Sequence, residues 1–81
     1  MITIMKPIRY VRHARNRMRL YDISDAEVEL AIQHPEYLEH SREGRLNAWK
    51  ELSGRFLRVT YNEEENGLII ISAVRKRRGW R

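Results

Sequence analysis

The sequence predicts an α+β domain in which two N-terminal helices pack on a four-stranded antiparallel β-meander. Three observations support this fold class. Apolar residues recur at helical spacing from Val11 to Tyr21, a helix-capping pattern begins at Ser24, and turn dipeptides divide the chain after Glu36 into strand-like runs. The length of 81 residues suits a single domain over the whole chain, with its core over about residues 8–76.

The first helix is expected to begin near Pro7, because a helix loses little when a residue in its first turn lacks an N–H. An apolar stripe follows at intervals of three, four and three residues, which is the spacing of one helix face. The stripe consists of Val11, Ala14, Met18 and Tyr21. We expect this face to pack on the sheet.

The second helix is expected to begin after Ser24. A serine followed three residues later by Glu27 is the capping-box pattern, and Ile23 and Val28 are placed to pack across the first turn. Proline disfavours helical geometry in the residue before it, so Pro35 should end this helix.

Four strands are expected from Glu36 onward, separated by the dipeptides Glu43–Gly44, Ser53–Gly54 and Asn66–Gly67. Apolar and polar residues alternate in the third run, "RFLRVTYNE". One face should carry Leu57, Val59 and Tyr61, and the other Phe56, Arg58 and Thr60. The fourth run, "LIIISAVRK", is almost continuously hydrophobic, which predicts a central strand covered on both faces or at an interface.

Positive charge is concentrated at both ends of the chain. The formal net charge is +5, residues 1–21 and 66–81 contain no acid, and all eleven acids lie between Asp22 and Glu65. Such basic segments favour an acidic partner, for example nucleic acid. Alternatively, the basic ends pair with the acidic middle of the same chain, and the sequence leaves both interpretations open.

The composition disfavours several classes of protein. The chain has no cysteine, which excludes disulfides and thiolate metal sites and suits a reducing cytoplasm. No run approaches the roughly 18 apolar residues of a membrane span. The N-terminal letters "MITIM" are too short for a signal peptide, so we expect a cytoplasmic protein without a membrane partner. The three histidines lack acidic neighbours at ligand spacing, so neither a metal nor a cofactor is expected.

His13 and Arg17 form a candidate catalytic pair, because they lie one helical turn apart at the edge of the apolar stripe. RNA cleavage without a metal needs a base for the 2′-hydroxyl, an acid for the leaving 5′-oxygen and fixed positive charge for the phosphate. Histidine can carry either proton near neutral pH, and arginine binds phosphate through two parallel hydrogen bonds. In the alternative interpretation, the two side chains hold the helix edge against the sheet.

Other cations are candidates for the same function. Arg58 on the third strand and Arg75 at the end of the fourth are candidates for the sheet side of a phosphate site. The candidates for nucleic-acid binding are Arg9, Arg12, Arg15, Arg19, Lys76, Arg77, Arg78 and Trp80. The basic tail over 75–81 suits phosphate contact with base stacking by Trp80, but equally suits a Trp80 packed on the domain or into a partner protein.

Several stretches carry a resemblance to a known family. "YVRHARNRM", "YDISDAEVELAIQHPE", a Gly-Arg turn and the last strand "GLIIISAVRK" resemble a small family of microbial domains with the signature His-Ala-x-x-Arg-Met, followed by a turn, a second helix and four strands. That family is similar to the RelE/ParE/BrnT-like toxins of the barnase–EndoU–colicin–RelE ribonuclease superfamily. The resemblance covers about residues 8–76, and the helical motif is its specific part.

The resemblance implies a RelE-like ribonuclease-toxin fold, often encoded beside a small antitoxin, with RNA bound at the sheet face opposite the helices or at its rim. The signature falls on His13, Ala14, Arg17 and Met18. One departure is "LYDIS", in which Leu20 and Asp22 replace the arginine and glycine common before Ile-Ser. This change removes a positive charge and a permissive turn.

Two functions are therefore expected as alternatives. The first is the toxin of a toxin–antitoxin pair, a metal-independent endoribonuclease acting on mRNA or tRNA, with His13 as proton carrier and Arg17, Arg58 and Arg75 stabilising the transition state. The second is a noncatalytic module of the same fold that binds nucleic acid or a protein. The expected partners are RNA and a small acidic antitoxin from a neighbouring gene, and a homodimer is a further assembly that the sequence allows.

Overall fold

The computed structural model describes residues 6–41 and 43–80. Within these ranges, two helices and five strands follow one another. They are β1 (Ile8–Tyr10), α1 (Arg12–Tyr21), α2 (Asp25–Gln33), β2 (Tyr37–His40), β3 (Leu46–Leu52), β4 (Arg55–Glu64) and β5 (Gly67–Lys76). Within the described ranges, neither helix has the length and apolar content needed to cross a membrane.

The prediction of a four-stranded antiparallel meander is wrong, because the sheet has a fifth strand at its edge. The strand order is β1-β5-β4-β3-β2. β1 pairs in parallel with β5, with Ile8 opposite Leu68 and Tyr10 opposite Ile70, whereas the other pairs are antiparallel. A three-residue strand is too short to display the period of two, and its partner lies near the opposite end of the chain, so no local signal marks it.

The expected start of the first helix near Pro7 is also wrong, because this residue leads into β1. The Pro7 carbonyl accepts a hydrogen bond from the N–H of Leu68 at 2.8 Å. Gly67 permits this close approach, since a Cβ at that position would lie 2.9 Å from the Pro7 oxygen. Val11 is still extended, and α1 begins at Arg12.

The capping box of α2 is confirmed. Oγ of Ser24 accepts a hydrogen bond from the N–H of Glu27 at 3.1 Å, and Oε1 of Glu27 accepts one from the N–H of Ser24 at 2.9 Å. Between the helices, Asp22 adopts a left-handed backbone with φ of 55°. Aspartate tolerates this conformation better than most residues, so Asp22 makes the turn without the glycine that the resemblance led us to expect.

The hydrophobic core lies between the helices and one face of the sheet. The predicted stripe of α1 is confirmed, because Ala14 and Met18 are buried and Val11 and Tyr21 pack against them. α1 contacts β5, and α2 contacts β3 and β4. The sheet side of the core includes Leu57, Val59 and Tyr61 of β4 and Leu68, Ile70 and Ala73 of β5. We call the other sheet surface, which faces away from both helices, the open face.

Candidate nucleic-acid interface

The open face carries an aromatic cluster formed by Tyr37, Trp49, Phe56 and Trp80. Tyr37 of β2 lies opposite Trp49 of β3, and the alternation of β4 places Phe56 on the same side of the sheet. The ring of Trp80 stacks on Tyr37, with 6.0 Å between the ring centroids and 16° between the planes. Trp80 also meets Phe56 and Trp49 in edge geometry, with centroid distances of 5.4 and 6.2 Å.

The cluster leaves part of its aromatic surface accessible. Trp49 is only 7% exposed, whereas Tyr37 is 42% exposed. Trp80 follows β5 and returns over the sheet, so the predicted alternative in which it packs on the domain describes its position here. An accessible ring at the border of such a cluster offers a face for stacking.

The orientation of Trp49 is held by a short polar network. Its Nε1 donates to Oε1 of Glu39 at 2.8 Å, and Nδ2 of Asn47 donates to the same oxygen at 3.4 Å. Oγ1 of Thr60 in turn donates to Oδ1 of Asn47 at 2.6 Å. The network links side chains of β2, β3 and β4, so these hydrogen bonds fix the position of the Trp49 indole on the sheet.

Arg58 lies beside the aromatic cluster on the open face. The Cζ atom of Arg58 is 5.6 Å from the centroid of the Trp49 ring, within the range of a cation–π contact. Its Nε is shielded from solvent and has no hydrogen-bond partner in the part of the chain that the structure describes. Arg58 forms no ion pair with any described residue, so its guanidinium can receive an anionic ligand without first breaking one.

Several of the other cations predicted to bind nucleic acid lie on or beside the open face. Lys76 is opposite Phe56 in the β4–β5 pair, and the exposed Arg77 and Arg78 connect it to the ring of Trp80. Arg9 alternates with the inward-facing residues of β1, so it lies on the open face opposite Ile69. The structure thus groups Arg58 with the tail cations and leaves Arg9 on the far edge strand.

The candidate catalytic pair lies on the other side of the sheet. His13 is exposed and Arg17 is half-buried on α1, and neither side chain makes a hydrogen bond or ion pair within residues 6–41 and 43–80. Because α1 packs on the covered face, the sheet separates this pair from Arg58. Arg12 and Arg19 are exposed on the same helix.

Arg15, predicted to face phosphate, is engaged within the fold. Its guanidinium forms an ion pair with Asp25 of α2 and lies 3.8 Å from the ring centroid of Tyr10. Burial, together with the nearby charges of Asp25 and Glu29, raises the pKa of Tyr10 to about 12. These residues border an open polar depression of the surface beside β1. This arrangement supports helix packing and leaves Arg15 less available to a ligand.

Arg75 is likewise engaged on the helix side. Its guanidinium donates to the carboxylate of Glu27 and to the carbonyls of Tyr21 and Asp22. Arg58 and Arg75 therefore face opposite ways and do not form one phosphate site. No cluster of three or more His, Asp or Glu side chains suited to a metal occurs among the described residues.

Sequence reasoning identified the cations but missed the aromatic cluster. The alternation of β4 assigned Phe56 and Arg58 to one face, and the first of the four strands expected from Glu36 onward contained Tyr37. The missing information was the order of the strands and the return of the tail, which bring Tyr37, Trp49 and Trp80 together. Three aromatic residues at outward positions of neighbouring predicted strands would have been the available signal.

A comparison with protein families identifies a match over residues 10–75 to the family described as "Domain of unknown function (DUF4258)". The chain belongs to this family. No curated protein and no solved structure matches the chain. The matched range of the DUF4258 domain includes both helices and all of β2, β3 and β4, but it ends before the residues of the tail that complete the aromatic cluster.

Proposed function

We propose that this DUF4258 domain binds RNA and that the open face is its binding surface. The observation that carries the proposal is the combination of Arg58 with four aromatic rings on one side of the sheet. Aromatic side chains stack on unpaired bases of any identity, and arginine and lysine neutralise phosphates.

The distribution of charge supports a particular path for the RNA. Glu39 lies on the β2–β3 side of the open face, whereas Lys76, Arg77 and Arg78 lie at the end of β5. An RNA strand would therefore direct its phosphates toward β5 and its bases toward the aromatic cluster. Such a strand must be single-stranded, because paired bases do not present their faces.

Kinship with the RelE/ParE/BrnT-like toxins forms part of this proposal. The His-Ala-x-x-Arg-Met signature supports it, as does the position of the aromatic and basic surface on the sheet face opposite the helices. Under this proposal, the domain is the toxin of a pair and works in the cytoplasm beside a small acidic antitoxin.

A metal-independent endoribonuclease acting on mRNA or tRNA is the second candidate. The observation that favours it is the exposed imidazole of His13 one turn from Arg17, with both side chains unengaged within the described residues. His13 would move a proton and Arg17 would stabilise the phosphate, with the neighbouring cations of α1 as the binding surface. This site and the open face lie on different sides of the molecule, so one experiment can separate them.

Titration of a labelled single-stranded RNA with three variants tests the proposal. Tyr37→Ala and Arg58→Ala should each weaken binding by roughly five- to a hundred-fold, because a stacked base is worth about 1–3 kcal/mol and an arginine–phosphate contact a similar amount. Arg12→Ala is the matched control, since it removes one exposed positive charge from α1. Loss of affinity in the control alone would place the RNA on α1 and favour the second candidate, and no RNA binding by the wild type would refute the proposal.

A further inference from the structure

Trp80 fills a slot on the open face that accepts one planar ring. Tyr37 lies nearly parallel to the Trp80 ring, while Trp49 and Phe56 present T-shaped contacts. Trp49 is almost fully shielded, and Trp80 itself is half-buried. The ring in the slot is therefore supplied by the tail of the same chain.

Gly79, the residue before Trp80, packs closely against the ring of Phe56. A Cβ on Gly79 would overlap the ring of Phe56, with the ring Cγ only 2.8 Å away. The two residues before it, Arg77 and Arg78, are exposed and lie outside the strand ladder. The attachment of the tail to the open face thus includes the Gly79 contact and the Trp80 ring, and both can be changed without altering charge.

We infer that this slot is a base-binding site in which an unpaired nucleobase of single-stranded RNA replaces Trp80. This inference rests on the proposed function, because it assumes that RNA reaches the open face. The base would stack on Tyr37 and cover Trp49, so it would take over the stacking that Trp80 provides in the free protein.

The charges of the tail favour such an exchange. Arg77 and Arg78 lie directly before Gly79, so the phosphates that accompany an incoming base attract the segment that carries Trp80. A tethered ring competes with an effective concentration in the millimolar range, which weakens the binding of a free base. Phosphate contacts by the released tail offset this competition, so the tail exchanges partners and remains bound to the strand.

Two RNA hexamers of equal charge provide the first test. One carries adenine at every position, and the other is abasic at its central positions. The wild type should prefer the base-bearing strand. Trp80→Ala removes the competing ring, so it should bind the base-bearing strand more tightly and increase the preference over the abasic strand, up to roughly ten- to a hundred-fold.

Gly79→Ala is a second variant that keeps every charge and both tryptophans. Because its added methyl group overlaps Phe56, the tail should leave the slot and the preference for base-bearing RNA should again increase. If Trp80→Ala instead leaves the affinity for the base-bearing strand unchanged or weakens it, Trp80 does not compete with the base and the inference is wrong.

Acrylamide quenching provides the second test. In Trp49→Phe, Trp80 is the only tryptophan, so its fluorescence reports its own accessibility. Quenching of Trp80 should increase when the base-bearing hexamer binds and should change little with the abasic hexamer. Unchanged quenching on binding of the base-bearing strand overturns the exchange.

The outcomes separate this inference from the proposed function. If both hexamers bind equally to the wild type and to Trp80→Ala, the open face binds phosphate but the slot does not take a base. If neither hexamer binds to any of the proteins, the proposed function fails and the inference fails with it. Melting curves of Trp80→Ala and Gly79→Ala establish that each variant is folded.

Discussion

A single guanidinium nitrogen of Arg75 on β5 contacts both carboxylate oxygens of Glu27 on α2, and the two oxygens share one of its N–H groups. Nη2 of Arg75 lies 2.9 Å from Oε1 and 3.0 Å from Oε2 of Glu27. The same side chain donates from Nε to the carbonyl of Tyr21 at 3.0 Å and from Nη2 to that of Asp22 at 2.8 Å. Arg75 therefore fastens the turn between α1 and α2 to the sheet. It can do so because a planar guanidinium has several N–H donors that point in different directions.

Arg75→Ala should lower the melting temperature, because it leaves the Glu27 carboxylate and two carbonyls without these donors. The side chains of Arg75 and Glu27 are only 20% and 31% exposed, so water replaces the missing hydrogen bonds incompletely. The expected loss is about 1–3 kcal/mol, or several degrees for a domain of this size. Thermal denaturation followed by circular dichroism measures it. Arg12→Ala is the control, and equal melting of the two variants would contradict the structural role of Arg75.

The Arg75–Glu27 pair should make the free energy of unfolding depend on pH in the acidic range. Burial raises the pKa of Glu27, but the hydrogen bonds from Ser24 and Arg75 outweigh burial and hold this pKa below its ordinary value. A group with a lowered pKa in the folded state stabilises the fold above its unfolded pKa and loses that contribution as the pH falls through the folded pKa. Wild-type stability should therefore decline below about pH 5.

Glu27→Gln removes this titration, so its free energy of unfolding should depend less on pH in the same range. Urea denaturation of both proteins between about pH 3 and pH 7 measures the difference. Parallel pH curves for the wild type and Glu27→Gln would mean that Glu27 does not contribute to acid sensitivity.

RNA affinity should fall steeply with salt. Each phosphate contact to a single strand contributes about −0.7 to the slope of log affinity against log salt. The double variant Arg77→Ala/Arg78→Ala should reduce the steepness by roughly 1.4, because it removes two such contacts. The double variant Arg12→Ala/Arg19→Ala removes the same charge from α1 and should retain the slope. An affinity that hardly changes between about 50 and 200 mM salt would exclude nucleic acid as the main ligand.

If the second candidate function holds, His13→Ala should lose RNA cleavage by on the order of 10²–10⁴-fold, which is the usual contribution of general acid–base catalysis. Arg17→Ala should lower turnover as well, because positive charge matters most as the phosphorane forms. A gel assay with a defined RNA measures both rates. Since the His13 side chain is exposed, its removal should leave the melting temperature unchanged.

The structural alternative for this pair predicts the opposite result. There, His13→Ala and Arg17→Ala would lower the melting temperature of a protein that does not cleave RNA. Wild-type melting combined with loss of cleavage supports catalysis, and measuring both properties on the same preparations decides between the two roles.

A small acidic partner should bind the basic surfaces of the chain. The product of a neighbouring gene is the expected candidate, and calorimetry should detect a complex at micromolar concentration that weakens as salt increases. Arg77→Ala/Arg78→Ala and Arg12→Ala/Arg19→Ala, compared as matched variants, would locate the partner on the open face or on α1. Absence of a complex would count against a toxin–antitoxin pair, and sedimentation of the chain alone would reveal a homodimer.

Local patterns in the sequence determine the buried face of α1, the start of α2 and the two faces of β4. The Ser24–Glu27 box begins α2 because its hydrogen bonds join residues three apart, and the α1 stripe is buried because helical spacing repeats on one side. The alternation around Arg58 likewise assigns that side chain to the face away from the core. In each case the physical cause acts within a few residues, so it is visible in the order of the amino acids.

Tertiary structure alone decides the features that depend on distant segments. β1 exists because its backbone hydrogen bonds are completed by β5 near the other end of the chain, and Arg75 meets Glu27 only after α2 packs on the sheet. The same folding places His13 and Arg58 on opposite sides of the sheet, although the sequence patterns assign both to one site. The slot around Trp80 also requires β2, β3, β4 and the tail to meet. Such contacts leave no repeating pattern in the sequence, because strand order and packing decide which distant residues meet.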